Sequence, residues 1–336
     1  MHLIVLTMNT FITGGCGFIG SAFCHYYRAK YPDENLYIFD ALYECATKKN
    51  IENLLGKNVH LVHGNLQDKN FLEYLFEEHK FTKVIHFAAQ SHVDHSFSNP
   101  LKYTYDNIVG THNLLEVVRF SGCVDRFCHI STDEVYGENE KGEGVKTETS
   151  LLKPTNPYAA TKAAAEMLVN SYVMSYGLPI VIIRANNVYG PRQYPEKVIP
   201  KFILRLLGDK SVVLHGSGKQ LRSFLHCDDI AAAIDIVLHK GIIGEVYNIA
   251  SEVEISIVDL AKKLIEIMKP GEGAEQWLQT GPDRNFNDQR YWIKSDKLGE
   301  LGWTATHTFD EELPLLVEWY KAHKAQEWWS VLPGDI

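Results

Sequence analysis

Three glycines at three-residue spacing constrain this chain more than any other feature. In TGGCGFIGS, Gly14, Gly17 and Gly20 follow a short apolar run, FIT (residues 11–13), and precede SAFCHYYRAKY, whose apolar positions recur at helical spacing. Glycine at such a junction allows a tight turn and lets backbone approach a pyrophosphate. The helix N-terminus adds unpaired N–H groups and the positive end of its dipole. A glycine triplet alone fits a plain strand–helix turn just as well. Asp40 narrows the choice. It ends the next strand-like run, NLYIFD (35–40), at about the 20-residue offset where an acidic side chain takes the adenosine ribose hydroxyls and repels a 2′-phosphate. The expectation is NAD as cofactor rather than NADP.

The same beat continues. VHLVHGN (59–65), TKVIHFAA (82–89), DRFCHIST (125–132) and LPIVIIRANNVYG (178–190) are strand-like, separated by helical spacing around FLEYLFEEHK, around NIVGTHNLLEVVRFSG and over 158–177. Apolar strands alternating with helices imply an α/β fold, a Rossmann-type doubly wound parallel sheet with helices on both faces. Beyond Pro191 the alternation loosens. Residues 1–190 are therefore expected to form the NAD-binding part, and 191–336 a smaller α/β substrate-binding part whose segments interleave with the first. The 336 residues carry a formal charge of −9, from 33 basic against 42 acidic side chains, with no basic block. Neither nucleic acid nor an anionic membrane suits that balance, so an anionic ligand needs a local pocket of backbone amides and placed arginines. No apolar run approaches the ~18 residues of a membrane span. MHLIVLT lacks the basic flank and cleavage site of a leader and reads as a strand lead-in or an extension before Met8. The six cysteines are expected to stay reduced, in keeping with a cytoplasmic location.

Tyr158 and Lys162 stand at i, i+4 near the start of the helical run, which puts them on one face. A lysine ammonium close to a phenol lowers its pKa and makes a base available near neutrality. With the glycine loop, and with Thr132 ending the strand before them, the pair resembles the short-chain dehydrogenase/reductase superfamily, in its extended branch acting on nucleotide sugars. Asp133 and Glu134 follow Thr132 directly. Alone they fit a solvated turn; beside a nicotinamide and a tyrosine base, two carboxyl groups of different pKa suit an elimination.

STDEVYG, NPYAATK and NNVYGPRQYPEKVIP, with FAAQSHVDHS (87–96) and RSFLHCDDIAAA (222–233), resemble the nucleoside-diphosphate-glucose 4,6-dehydratases over nearly the whole chain. FNDQRY (286–291) is similar to the UDP-glucose dehydratase part of plant-type UDP-rhamnose synthases. The resemblance implies that Tyr158, with Thr132 and Lys162, takes the proton from the sugar O4 as C4 is oxidised, that Glu134 removes the C5 proton, and that Asp133 protonates the departing O6. It implies cofactor contacts from Gly14, Gly17, Phe18, Ile19, Gly20, Asp40, Asn65, Leu66, Ala88, Ala89 and Gln90, together with Tyr158 and Lys162. Substrate contacts are implied for Ser91, Thr132, Asn187, Lys197, Arg222, Asp283, Arg284, Asn287 and Arg290, and a homodimer through the helices around Tyr158 is usual for the family. The chain departs from the family pattern at Asn65 and Leu66, where Asp-Ile is usual. It departs again at Ala41, with the loop tyrosine shifted to Tyr43, and at Val188. His86, His92 and His95 are read as structural, with no metal, and Trp328 and Trp329 as terminal packing. The rival readings are a UDP-glucose 4-epimerase or UDP-glucuronate decarboxylase, which need no Asp133–Glu134 pair, and a non-catalytic NAD-binding regulator.

Overall fold

The computed structural model describes residues 8–139, 142–283, 288–334 and 336. The lead-in before Met8, Arg284 and Asn287 lie outside these residues. Among the described residues twelve strands are formed: β1 (Asn9–Thr13), β2 (Asn35–Asp40), β3 (Val59–His63), β4 (Lys83–His86), β5 (Arg126–Thr132), β6 (Ile180–Ala185), β7 (Asn187–Tyr189), β8 (Val212–His215), β9 (Leu221–His226), β10 (Val246–Ile249), β11 (Glu254–Ser256) and β12 (Leu278–Gly281). Seven of them build one sheet in the order β10-β6-β5-β4-β1-β2-β3. Every pairing in it is parallel. Its strands are apolar because both faces are covered; β6 is buried at every position. The strand order reverses between β1 and β4, so the crevice at their carboxyl ends is where a doubly wound sheet receives its ligand. The glycine loop leaves β1 at that point.

Segments beyond residue 190 return to the main sheet. Helix Cys227–Lys240 packs on the sheet against helix Phe18–Lys30, and β10 pairs with β6 at the sheet edge. The smaller sheets, β11-β9-β7 and β12-β8, carry a second core, in which Phe202, Leu206, Leu264, Leu313 and Tyr320 are buried. Trp329 is buried in it, while Trp328 packs edge-on to Trp319 and donates its indole N–H to Asn50 Oδ1 (2.8 Å). The run 178–190, one strand on its apolar pattern, is two. It breaks at Asn186, where the chain leaves the main sheet to pair β7 with β9. All six cysteines are free. Among the described residues no helix is long and apolar enough to cross a membrane.

Candidate active site

A cavity of about 840 Å³ opens at the switch point and extends between the two parts of the chain. At its inner end Gly14 has φ +71°, and a Cβ there would lie 2.6 Å from the Ala88 nitrogen; a Cβ on Gly20 would lie 2.3 Å from the Gly14 carbonyl oxygen. These two positions exclude any side chain. Helix Phe18–Lys30 begins at Gly17 with no side-chain cap, which leaves its first amides for a ligand. Asp40 is buried at the end of β2. Its carboxylate accepts the Cys16 N–H (2.9 Å) and the Leu42 N–H (2.8 Å), so the acid also braces the loop it serves. Asn65 donates to the Tyr43 hydroxyl (2.8 Å) and accepts the Gln67 N–H (2.9 Å), tying the shifted tyrosine to the asparagine that departs from the family pattern.

The reacting face is built at the end of β5 and on helix Pro157–Tyr176. Asn156 caps that helix, its side chain accepting the Ala159 N–H (2.9 Å), and Pro157 follows at the first helical position. This fixes Tyr158 and Lys162 on the turn that faces β5. Lys162 donates to the Ile130 carbonyl (2.6 Å), and burial lowers its pKa to about 8. The Tyr158 phenol is pushed well up, first by burial and then by the Glu134 charge, with Thr132 acting in the opposite sense. Burial and the neighbouring carboxyl charge thus act against the lowering of the phenol that the i, i+4 spacing led us to expect from the lysine. One of the three ammonium donors is held by the Ile130 carbonyl.

Thr132 and Glu134 line the cavity; Asp133 does not. The Asp133 carboxyl is turned inward, where Oδ2 accepts from Asn186 Nδ2 (2.6 Å) and Oδ1 from the Thr132 hydroxyl (3.2 Å). Burial, then the neighbouring Glu134, raises it to about 7. Glu134 is only partly buried. It accepts from Asn156 Nδ2 (3.3 Å) and is also raised by desolvation.

Gly14, Gly17, Phe18, Ile19, Gly20, Asp40, Asn65, Leu66, Ala88, Ala89, Gln90, Ser91, Tyr158, Lys162, Asn187, Lys197 and Arg222 all reach the cavity wall. Asp283 and Arg290 do not. Arg290 is taken by a two-pronged pair with Glu254 (2.6 and 2.8 Å), and a Cβ on Gly216 would collide with the Asp283 carboxylate. Arg284 and Asn287 are outside the described residues. Lys197 donates to the Ser91 carbonyl (2.7 Å) and Arg222 to that of Asp288 (2.9 Å), with its guanidinium over the Tyr291 ring.

Sequence reasoning missed four buried or half-hidden groups. Asn107, inside a π-helical turn (Thr104–Val109), accepts the Gln90 N–H (2.7 Å) and donates to Thr161 (3.0 Å), locking the loop after β4 onto the helix of Tyr158. Asn186 holds Asp133, and Asp288 and Tyr291 line the outer wall. No local signal pointed to any of the four. His86 is a structural link, buried and lowered to about 3. It joins Thr13 of β1 (2.7 Å) to Thr111 (2.9 Å). Two groups bring three potential metal-ligand atoms within 4.8 Å of one another, His92–His95–Glu196 at the cavity rim and His226–Asp228–His307 away from it. In the second, His307 is already bonded to Asp229 (2.9 Å).

The family model described as GDP-mannose 4,6 dehydratase matches residues 11–314. The chain belongs to that family. It is 43% identical over 330 residues to a trifunctional UDP-glucose 4,6-dehydratase/UDP-4-keto-6-deoxy-D-glucose 3,5-epimerase/UDP-4-keto-L-rhamnose-reductase of Arabidopsis thaliana, a match covering 98% of this chain and 49% of the relative. The chain thus spans about half the length of that relative. A second member of similar kind, the dTDP-D-glucose 4,6-dehydratase of Mus musculus, is 44% identical over 334 residues, covering 96% of this chain and 93% of the relative. Among solved structures, the dTDP-glucose 4,6-dehydratase of Streptomyces venezuelae, crystallised with NAD, superposes with a TM-score of 0.90 at 34% identity, over 96% of this chain and 99% of that one.

Proposed function

We propose that this chain is an NAD-dependent nucleotide-sugar 4,6-dehydratase that converts UDP-glucose to its 4-keto-6-deoxy derivative and water, with dTDP-glucose as the alternative substrate. One observation carries the reading. Two adjacent carboxyl groups follow β5, both pushed toward the neutral form: Glu134 lies with Tyr158 and Lys162 on the wall of a cavity that begins in a glycine turn, and Asp133 is turned inward beside it. The glycine turn fits the cofactor's pyrophosphate, because a Cβ at Gly14 or Gly20 would fill the cradle. Asp40 fits the ribose, and Ala88 to Gln90 the edge leading to Tyr158. When bound, NAD supplies the acceptor that oxidises C4 and later returns the same hydride to C6.

The residues do the rest. Tyr158 takes the O4 proton; its phenol is buried and awaits positive charge in the cavity. Lys162, fixed on the Ile130 carbonyl, orients the edge of the site. Once C4 is a ketone the C5 proton is acidic, and Glu134 is the base on the cavity wall that removes it. Asp133, protonated below about pH 7, is the acid for the departing oxygen. Lys197 and Arg222 would meet the sugar diphosphate once its oxygens replace the carbonyls they now hold. The cavity-facing placement of Ser91 and Asn187 supports sugar contacts. An epimerase would need neither carboxyl group. We further read the product as a deoxysugar precursor of the rhamnose type, the location as cytoplasmic and the assembly as a homodimer. Support for the last comes from Leu101, Tyr105, Phe120, Met167 and Met174, which expose apolar surface along the helices flanking Tyr158.

Incubation of the purified chain with NAD and UDP-glucose, followed by mass spectrometry, is expected to show loss of one water and an alkali-absorbing 4-keto product. UDP-galactose as the sole product would falsify the reading. Turnover should fall as the pH rises through about 7, because Asp133 must keep its proton to act as the acid.

A further inference from the structure

The acid that this reading requires does not face the cavity. Asp133 is 2% exposed and absent from the cavity wall, while its neighbour Thr132 is on it. What holds Asp133 inward is Asn186, at the break between β6 and β7. The Asn186 amide has only one orientation. Its Oδ1 accepts the Ser251 N–H (2.9 Å), so Nδ2 is the atom that meets Asp133 Oδ2 (2.6 Å). An oxygen that accepts so short a bond from an amide is the carbonyl-like one; the hydroxyl oxygen of a carboxylic acid is the poorer acceptor. The proton of the neutral acid is left to Oδ1, 3.2 Å from the Thr132 hydroxyl; that contact, in which the hydroxyl donates to an ionised carboxylate, is reversed when the acid is neutral, and Oδ1–H then donates to the threonine oxygen. That hydroxyl also accepts the Glu134 N–H (3.3 Å), which fixes its lone pairs and leaves its own hydrogen to turn toward the cavity.

We propose that Asn186 is a positioning residue that fixes the proton of Asp133 on Oδ1, from which it reaches the leaving oxygen through the hydroxyl of Thr132. The proposal rests on the dehydratase reading and assigns the route of its acid step. Glu134 removes the C5 proton, and the C–H electron pair becomes the C5–C6 double bond. The C6–O6 bond breaks with its pair on oxygen. Thr132 gives that oxygen its hydroxyl proton and takes the Asp133 proton in the same event. Water leaves, Asp133 ends as a carboxylate, and Glu134 ends protonated. Thr132 is unchanged.

The test compares UDP-glucose with UDP-6-deoxy-6-fluoroglucose in single turnovers. Fluoride leaves with far less need of a proton, while oxidation at C4 is common to both substrates, so the ratio of fluoro to hydroxy turnover isolates the acid step. That ratio is expected to rise about a hundredfold or more in Asp133→Asn and equally in Thr132→Val, the lower end of what a general acid contributes. Thr132→Ser, which keeps the hydroxyl, should leave it at the wild-type value. Asn186→Ala, and the isosteric Asn186→Asp should alanine fail to fold, remove the N–H that favours the ionised carboxyl. In both, the alkaline limb of turnover should move to higher pH. The other groups acting on Asp133, Glu134 from its own turn and Arg222 from β9, stay in place. A ratio that rises in Asp133→Asn but not in Thr132→Val means that Asp133 acts directly, and it overturns the relay. A pH profile in both Asn186 variants that superimposes on the wild type overturns the positioning role. A wild type that forms no 4-keto-6-deoxy product removes the dehydratase reading itself, which separates that failure from these two.

Discussion

At the glycine end of the cavity the groups proposed to bind an anion are backbone amides, held by a turn in which neighbouring atoms leave no room for a side chain. At the far end they are the side chains of Lys197 and Arg222, which arrive from separate elements and rest on carbonyl oxygens of Ser91 and Asp288. The first arrangement is local and preorganised: nothing must be displaced before a phosphate is met. The second is assembled by the tertiary fold, and a diphosphate there must outcompete bonds the chain already makes. The two ends should therefore fail differently. The glycine end should fail abruptly, through sterics, and the cationic end in degrees, through charge.

Gly20→Ala is the sharpest way to break the glycine end. Its Cβ would lie 2.3 Å from the Gly14 carbonyl oxygen and 2.9 Å from the Gly15 Cα, both backbone atoms that cannot rotate away. We expect NAD affinity to fall at least a hundredfold, about 3 kcal/mol, in a calorimetric titration. Binding within threefold of wild type would show the turn to be pliable and the contrast between the two ends to be wrong. Arg222→Ala should be milder. Losing charge-assisted bonds to a phosphate costs about 1.5–3 kcal/mol, so KM for the sugar nucleotide is expected to rise roughly ten- to a hundredfold with NAD affinity unchanged. Arg222→Lys should fall between, because an ammonium keeps the charge and loses the planar fork.

How much of this was legible in the chain follows the same division. The parallel sheet could be read because its strands are buried on both faces and so are apolar throughout, as β6 is. The glycine turn and the Tyr158–Lys162 pair each lie within a few residues of sequence, and Asp40 follows the turn at a fixed offset. Thr132, Asp133 and Glu134 were also visible as a triplet. Which of the three faces the cavity was not, because that is decided by Asn186, 53 residues along the chain from Asp133. The surroundings of Tyr158 were hidden for the same reason. The i, i+4 spacing shows that the lysine is near but not that Ile130 holds its ammonium, nor that burial of the phenol dominates. Likewise no local pattern announces that Glu254 will take Arg290.

The buried acid between the two ends carries a stability signature of its own. Asp133 has a folded pKa raised from 3.8 to about 7, so between those values the native state binds the proton that the unfolded chain has lost. Stability contributed by this site is therefore greatest at low pH and lost as the pH rises through the folded value. Asp133→Asn removes that dependence. Its Tm should exceed that of the wild type at pH 8 and approach it at pH 4, by a few degrees at most for a domain of this size. An identical offset at both pH values would mean that Asp133 is not held neutral, and it would weaken its assignment as the acid. Measured beside activity, the variant should be more stable where it is inactive, as a group kept for chemistry rather than for folding predicts.

The smallest effect is expected at Arg290, and that is what makes it informative. Its resemblance to family positions implies a nucleotide contact, yet its guanidinium is committed to both oxygens of Glu254 and stacked over Trp292, with side chains about one-third and one-quarter exposed. A half-exposed pair of this kind is worth about 0–1 kcal/mol, since solvent competes for both partners and ordering them costs entropy. Arg290→Ala should thus leave KM within about twofold and lower Tm by no more than a degree or two. A KM rise of tenfold with Tm unchanged would mean that the nucleotide draws Arg290 away from Glu254 on binding. In that case the cationic end of the cavity is assembled by its ligand and not only by the fold. Glu254→Gln then separates the two cases: freeing the arginine should tighten substrate binding if it is recruited, and should leave KM untouched if the pair is merely structural.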